Sequence, residues 1–92
     1  MIFDNGRVKV RLEFFDGLIF SHYGIYDKFL PSDYKYLRSL LEKCSYELGA
    51  ISAPVDTGDD KTIRLIKKLG YIETNLQVLY SDGFYRRVYR YG

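Results

Sequence analysis

The chain has little of what most readily gives away a function. Cys44 is the only cysteine among 92 residues, so no internal disulfide can form. One histidine, His22, lies far from that cysteine, so no metal-ligand spacing exists and no metal site is expected. Tryptophan is absent and proline occurs twice. No apolar run approaches the ~20 residues of a membrane span. The start, Met1-Ile2-Phe3-Asp4-Asn5-Gly6, has neither the basic region nor the apolar run of a signal peptide. These absences predict a reducing, cytoplasmic setting with no membrane partner. There is also no G-x-S-x-G, no P-loop, no internal repeat and no low-complexity tract.

Charge is scarce in excess of either sign. Lys and Arg number 14 against 12 Asp and Glu, a net +2 with pI near 8.6, far from the strong excess of a dedicated nucleic-acid binder. Hydrophobic residues at 47% and charged ones at 28% exclude disorder over the whole length. At this size one domain, 1–92, is expected. Such a chain buries only about 60–65% of its unfolded surface, which invites a partner or self-association. Aromatics are what the chain has in plenty: 10 Tyr and 6 Phe, residues that bury area while a tyrosine keeps a polar tip in water.

The hydrophobic pattern changes period along the chain. From Arg7 to Phe15, Val8, Val10, Leu12 and Phe14 alternate with Arg7, Lys9, Arg11 and Glu13, which predicts a half-buried strand. Asp16-Gly17 is a two-residue hairpin signal, with the return strand from Leu18 to about Tyr26. Met1 to Phe3 offers a short edge strand. Pro31-Ser32 then opens a helix, with Ser32 as N-cap, Asp33 in the first turn, an apolar stripe of Leu37, Leu40, Leu41, Cys44 and Leu48, and Gly49 as terminator. Ala50 to Val55 is a short apolar strand and Asp56-Thr57-Gly58-Asp59 a turn. The next helix buries Ile63, Ile66 and Leu69, with Leu65 at the edge, and stops at Gly70. Ile72, Thr74, Leu76, Val78 and Tyr80 share a strand face, Ser81-Asp82-Gly83 turns the chain, and Phe84 to Tyr91 returns. The order β-β-α-β-α-β-β predicts an α/β fold, a mixed sheet with helices on its faces.

The passage Asp59-Asp60-Lys61-Thr62-Ile63-Arg64-Leu65-Ile66-Lys67-Lys68-Leu69-Gly70-Tyr71-Ile72 resembles the last helix and following strand of the GNAT fold, the N-acetyltransferase family. The element order matches that of the GNAT core from its second strand onward, so the resemblance implies a minimal GNAT-like domain. It also implies two altered positions. The family tyrosine that can protonate the departing thiolate falls on Ile66, and the asparagine that contacts the pantetheine arm falls on Asp59. The family's Gly-rich phosphate loop falls where Asp33, Lys35 and Leu37 stand. An aspartate there repels phosphate and bulky side chains block the backbone, so no cofactor is expected to bind.

For a base that takes a proton from an attacking amine, Glu13, Asp16 and His22 are the candidates near the first strands, and Tyr23 and Tyr26 could donate one. Glu13 fits a solvated strand face, His22 a core or edge histidine, and Cys44 a buried hydrophobe. No catalytic residue is therefore assigned. Two basic-aromatic segments make a candidate interaction surface: Arg7, Lys9 and Arg11, with Tyr85, Arg86, Arg87, Tyr89, Arg90 and Tyr91. Such a surface suits an acidic protein partner or nucleic acid, or guards a sheet edge. Shortened domains of this kind are similar to small GNAT-related proteins of short-tailed phages. The expectation is a non-catalytic GNAT-like protein that binds a protein partner. The alternatives are a small acetyl-CoA-dependent N-acetyltransferase and a nucleic-acid-binding module.

Overall fold

The computed structural model describes residues 2–92. Met1, counted above in a first edge strand, lies outside them. The elements are β1 (Ile2–Asp4), β2 (Val8–Phe15), β3 (Leu18–Ile25), α1 (Pro31–Leu48), β4 (Ile51–Asp56), α2 (Asp60–Leu69), β5 (Ile72–Leu79) and β6 (Tyr85–Tyr91). They form an α/β domain fold of the expected GNAT-like order, with β1 added at the front. The sheet order is β1-β2-β3-β4-β6-β5, with β3 and β4 parallel and the other neighbours antiparallel. Asp16 and Gly17 close the β2–β3 hairpin at φ 51° and 76°, the positive values a tight primed turn requires.

Register decides which side chains meet. Val8, Val10 and Leu12 lie opposite Ile25, Tyr23 and Ser21, and Ala53 lies opposite Tyr89. One sheet face therefore carries the apolar alternates of β2, β3, β4 and β6, and Leu37, Leu41 and Cys44 of α1 join Leu65, Ile66 and Leu69 of α2 in a single core on it. Both helices thus lie on the same face, where the sequence suggested helices on its faces. The cause is chirality: the steps β3–α1–β4 and β4–α2–β5 both advance in the same direction across the sheet, and right-handed crossovers then place both helices on one side. The other face carries Arg11, Glu13, Phe20, His22, Ser52 and Arg90 and has no helix over it.

Several local expectations shift. The N-cap of α1 is Leu30 and not Ser32, because Pro31 takes the first helical position, where its fixed φ and missing N–H cost nothing. Leu48 is exposed at the helix end, while Leu65 is buried and Ile63 only partly so. In β5 no residue is buried, since it is the outermost strand and a bulge between Glu73 and Gln77 interrupts its pairing with β6.

Asp33 ties α1 to the start of the sheet. Its carboxylate accepts from Arg7 Nε at 2.8 Å and Nη2 at 2.7 Å, from Asn5 Nδ2 at 2.9 Å and from the Leu30 N–H at 2.8 Å. Only 4% of the residue is exposed. The Arg7 hydrogen bonds, then the Leu30 N–H, hold its pKa down to about 2. Because the folded value lies below the unfolded one of about 3.9, the contribution is complete above about pH 4 and fades as pH falls toward 2. Asp33→Asn is expected to remove that part of the acid transition and lower the thermal midpoint by more than about 5 °C, read by circular dichroism. Gly70 gives a second prediction. It ends α2 at φ 110°, and an added Cβ would lie 3.2 Å from Tyr91 Cε2. Gly70→Ala should cost more than about 1 kcal/mol in urea unfolding.

Candidate functional site

Parallel strands β3 and β4 pair at only two positions, Ile19 with Ile51 and Phe20 with Ser52. Beyond them β3 continues to Ile25 and β4 to Asp56, but the strands part, and β4 spends its length on β6 in six consecutive pairs. Pro54 sits in the diverging half of β4 and has no N–H to offer. The result is a V-shaped split between two strands of one sheet, with backbone groups along its inner edges.

Three hydroxyls gather at the vertex. Ser21, the first residue of β3 past the paired stretch, has its Oγ 3.5 Å from the Ser52 carbonyl and 2.9 Å from the Tyr71 hydroxyl. Tyr71 in turn lies 2.7 Å from the Tyr23 hydroxyl. Tyr71 follows Gly70 directly and reaches across to β3 from the far side of the split, its ring packed on Tyr91 at 5.6 Å between centroids. Burial pushes the Tyr71 phenol up, with hydrogen bonds to Ser21 and Tyr23 pulling the other way, and burial pushes Tyr23 further up.

The open end of the split meets a groove of about 550 Å³ between the β3–α1 loop and the two helices. Ile25 and Leu65 form its floor, and Lys28, Lys61, Arg64 and Lys68 put four cations on its walls against Asp27. Lys61, Arg64 and Lys68 recur at helical spacing on one side of α2. Lys68 also lies over the Tyr34 ring, 5.3 Å from its centroid, and its carbonyl accepts both Arg38 Nε and Nη2, fixing α1 against α2.

The start of α1 does not present a row of free amides to this groove. Pro31 has none, the Leu30 N–H goes to Asp33 and the Asp33 N–H to the Leu30 carbonyl. The expected charge repulsion from Asp33 is corrected, because its carboxylate is buried against Arg7 and Asn5. An anion here would meet side-chain cations in place of backbone N–H groups.

The remaining candidates separate. Ile66 is fully buried in the core and Asp59 is the N-cap of α2, accepting from the Thr62 N–H at 3.2 Å and its hydroxyl at 2.7 Å. Cys44 is buried in the α1 stripe and Asp16 sits in the hairpin turn. Glu13 and His22 share the helix-free face. Glu13 bonds Arg11 Nη1 at 3.1 Å and lies 3.7 Å from His22 Nε2, a buried atom without a hydrogen bond. Burial, then Arg11, lowers the His22 pKa, while Glu13 opposes.

The nine residues of the basic-aromatic surface do not form one patch. Arg7 is committed to Asp33, Arg86 to Asp82 and Arg87 to Glu73. Tyr89 is buried and Tyr91 packs on Tyr71. Lys9, Arg11 and Arg90 project from the helix-free face, and Tyr85 is exposed. Strand β6 is interior to the sheet, so its arginines guard no edge. Among the described residues no cluster could hold a metal ion, and no helix is long and apolar enough to cross a membrane. The sequence reading missed the Ser21–Tyr71–Tyr23 cluster and the cationic groove. The signal for the groove was the Lys61, Arg64, Lys68 spacing, and for the cluster only that the aromatic after Gly70 carries a hydroxyl.

A mixed sheet split between its two parallel strands, with both flanking helices on one face, defines the GNAT fold, and solved structures of GNAT acetyltransferases share it. One is a protein assigned to the GnaT acetyltransferase family from Bordetella pertussis, with TM-score 0.70 and 15% identity over 94% of this chain and 57% of the other. Another is Ard1 from Thermoplasma volcanium, with TM-score 0.65 and 17% identity over 91% and 61%. A third is a spermidine N-acetyltransferase chimera of Vibrio cholerae SpeG and hSSAT, with TM-score 0.56 and 15% identity over 97% and 61%. The chain thus spans 57–61% of the length of these structures. No family model and no curated protein sequence matches it. These similarities correct the expectation of a non-catalytic, partner-binding protein, since the structures that share the fold are acetyltransferases.

His22 offers a direct check of the electrostatics on the helix-free face. Proton NMR should place its pKa below 6.5; Arg11→Ala should raise it and Glu13→Gln lower it further. Because the folded value is the lower one, its contribution to stability is complete above about pH 6.5 and declines as pH falls below that.

Proposed function

We propose that this chain transfers an acetyl group from acetyl-CoA to an amine. The observation that carries the reading is the cationic groove beside Ile25, the residue that ends β3 after it has parted from β4. The divergence of β3 from β4 frees backbone donors and acceptors along an edge, and the groove at its open end concentrates positive charge where a diphosphate would lie. From Ile25 at the groove to Ser21 at the vertex is four strand residues, roughly 13 Å at the usual rise, a span that an extended pantetheine arm covers. The residues fit the ligand in charge, with Lys28, Lys61, Arg64 and Lys68 taking the phosphates that backbone amides would otherwise hold. Acetyl-CoA supplies an acyl group already activated as a thioester. The protein's part is to hold the arm in the split and admit the amine from the helix-free face, beside Phe20 and His22. Binding through flexible ammonium groups is salt-sensitive, more so than binding through fixed amides.

Isothermal calorimetry and thermal shift with acetyl-CoA test this reading. Saturable binding is expected, with stabilisation of about 2.7 kcal/mol at 100 times Kd. The double substitution Lys61→Glu, Arg64→Glu should weaken binding more than about tenfold, and added salt should weaken it in the wild type. No binding of acetyl-CoA by the wild type at low salt would sink the proposal.

A further inference from the structure

Acyl transfer needs a second substrate, and the helix-free face, where the amine is admitted, holds one charge in a position to select it. Register lines up Glu13, Phe20, Ser52, Arg90 and Ile72 in a single row across β2, β3, β4, β6 and β5. Phe20 and Ser52 are the last pair before β3 and β4 part, so this row crosses the sheet at the vertex. Arg90 stands two strands from Phe20, roughly 10 Å at the usual strand spacing. We propose that the acceptor of this chain is an amine that also carries a carboxylate, held by the Arg90 guanidinium; the assignment rests on the acetyltransferase reading above.

Arg90 is the uncommitted charge of the row. Its side chain is exposed and makes no hydrogen bond or ion pair among the described residues. It borders a surface groove of about 370 Å³ together with Ile72, Thr74 and Gly92, so a ligand on this face can reach it. The other arginines of the face are engaged, Arg11 by Glu13 at 3.1 Å and Arg86 by Asp82 at 2.8 Å. Lys9, opposite Gly24 and without an ion partner, adds a second cation farther along the face.

The carboxylates there are occupied. Glu13, in the same row as Arg90, is taken by Arg11. Asp56 lies four residues beyond Ser52 on β4, roughly 13 Å along the strand, and accepts from the Gly58 N–H at 2.8 Å. His22 adds no charge at neutral pH, because burial, then Arg11, holds its pKa below the ordinary value. A second ammonium on the acceptor would therefore find no free carboxylate near the vertex, and an uncharged acceptor would leave the guanidinium unused. A carboxylate takes two parallel N–H···O bonds from it, which orient the molecule as well as hold it. With the carboxylate at Arg90, the nitrogen lies toward Phe20. It then bonds to the acetyl carbon, the carbon–sulfur bond breaks, nitrogen gives a proton to solvent, and the departing thiolate takes one up.

The test supplies the whole chain with acetyl-CoA and three acceptors of equal carbon length, γ-aminobutyrate, n-butylamine and putrescine, and follows release of free thiol above the uncatalysed rate. Hydroxylamine, too small to need an acceptor subsite, reads acyl transfer by itself. In the wild type, kcat/KM for γ-aminobutyrate should exceed that for n-butylamine about tenfold or more, and that for putrescine by a wider margin. Arg90→Gln should bring the first ratio to within about threefold of one, acting through KM and not kcat, while Arg90→Lys keeps the order of the three. A peptide amide that begins with aspartate, run beside γ-aminobutyrate, distinguishes an acidic peptide terminus from a free amino acid as the source of the carboxylate. Transfer to hydroxylamine with no preference for γ-aminobutyrate over n-butylamine overturns the assignment, whether or not any variant folds, and leaves the acetyltransferase reading standing. A preference that survives in folded Arg90→Gln does the same. No binding of acetyl-CoA by the wild type, or no transfer even to hydroxylamine, overturns both.

Discussion

Two residue pairs hold β3 to β4, and the shortness of that contact shapes the rest of the molecule. Had the strands paired along their length, as β4 does with β6, their backbone groups would be spent on one another and the sheet would be closed. Instead β4 follows β6, and β3 follows β2 through eight consecutive pairs. The sheet is in effect two antiparallel halves joined at a hinge of two residues. Core packing on the helix side keeps the halves together: α1 covers β2 and β3, α2 seats near Ile25, and Arg38 links the helices through the Lys68 carbonyl. Tyr71 adds a polar tie beneath the vertex, from the α2–β5 connection to β3.

Electrostatics divides along the same line. Every cation of the groove stands on the β3–α1 loop or on α2, and the carboxylate nearest in sequence to the start of α1, Asp33, is turned away and bound by Arg7. That pairing does two jobs. It completes the first turn of α1 by accepting from the Leu30 N–H, and it withholds a negative charge from the groove. A helix entry built on proline and a side-chain carboxylate has few amides left over for a ligand, so under the proposed reading a phosphate would be met by lysine and arginine side chains. Those hold an anion with less geometric definition than a row of fixed amides, at the cost of ordering each long side chain.

Much of the fold was legible because it rests on short-range patterns. The alternation from Val8 to Leu12, the Asp16-Gly17 turn, the Gly70 stop and the Gly83 turn all lie where the residues indicated, while Phe14, expected on the same face as Leu12, is exposed beside the hairpin turn. Misplacements came where neighbours overrode local preference. Ser32 is a good cap by type, but Pro31 took the first helical position. Leu76 and Val78 look like a core face, yet β5 has no helix above it. The site was less legible than the fold. Asp33 had looked like a charge against phosphate because its partner, Arg7, is 26 residues away in the chain. Nothing in the sequence singled out Tyr71, because Ser21 and Tyr23 are 50 and 48 residues away.

By itself the sequence determined the succession of strands and helices, their turns and glycine stops, and the likeness of the Asp59–Ile72 passage to an acyltransferase scaffold. Periodicity and turn chemistry act over a few residues, so one chain read end to end reveals them. Only the tertiary structure decided that both helices share a face, that β6 lies inside the sheet, that Asp33 is neutralised, and that three hydroxyls meet where two strands part. Each of those depends on which residues distant in the chain become neighbours, and that is set by crossover handedness and register across the whole sheet.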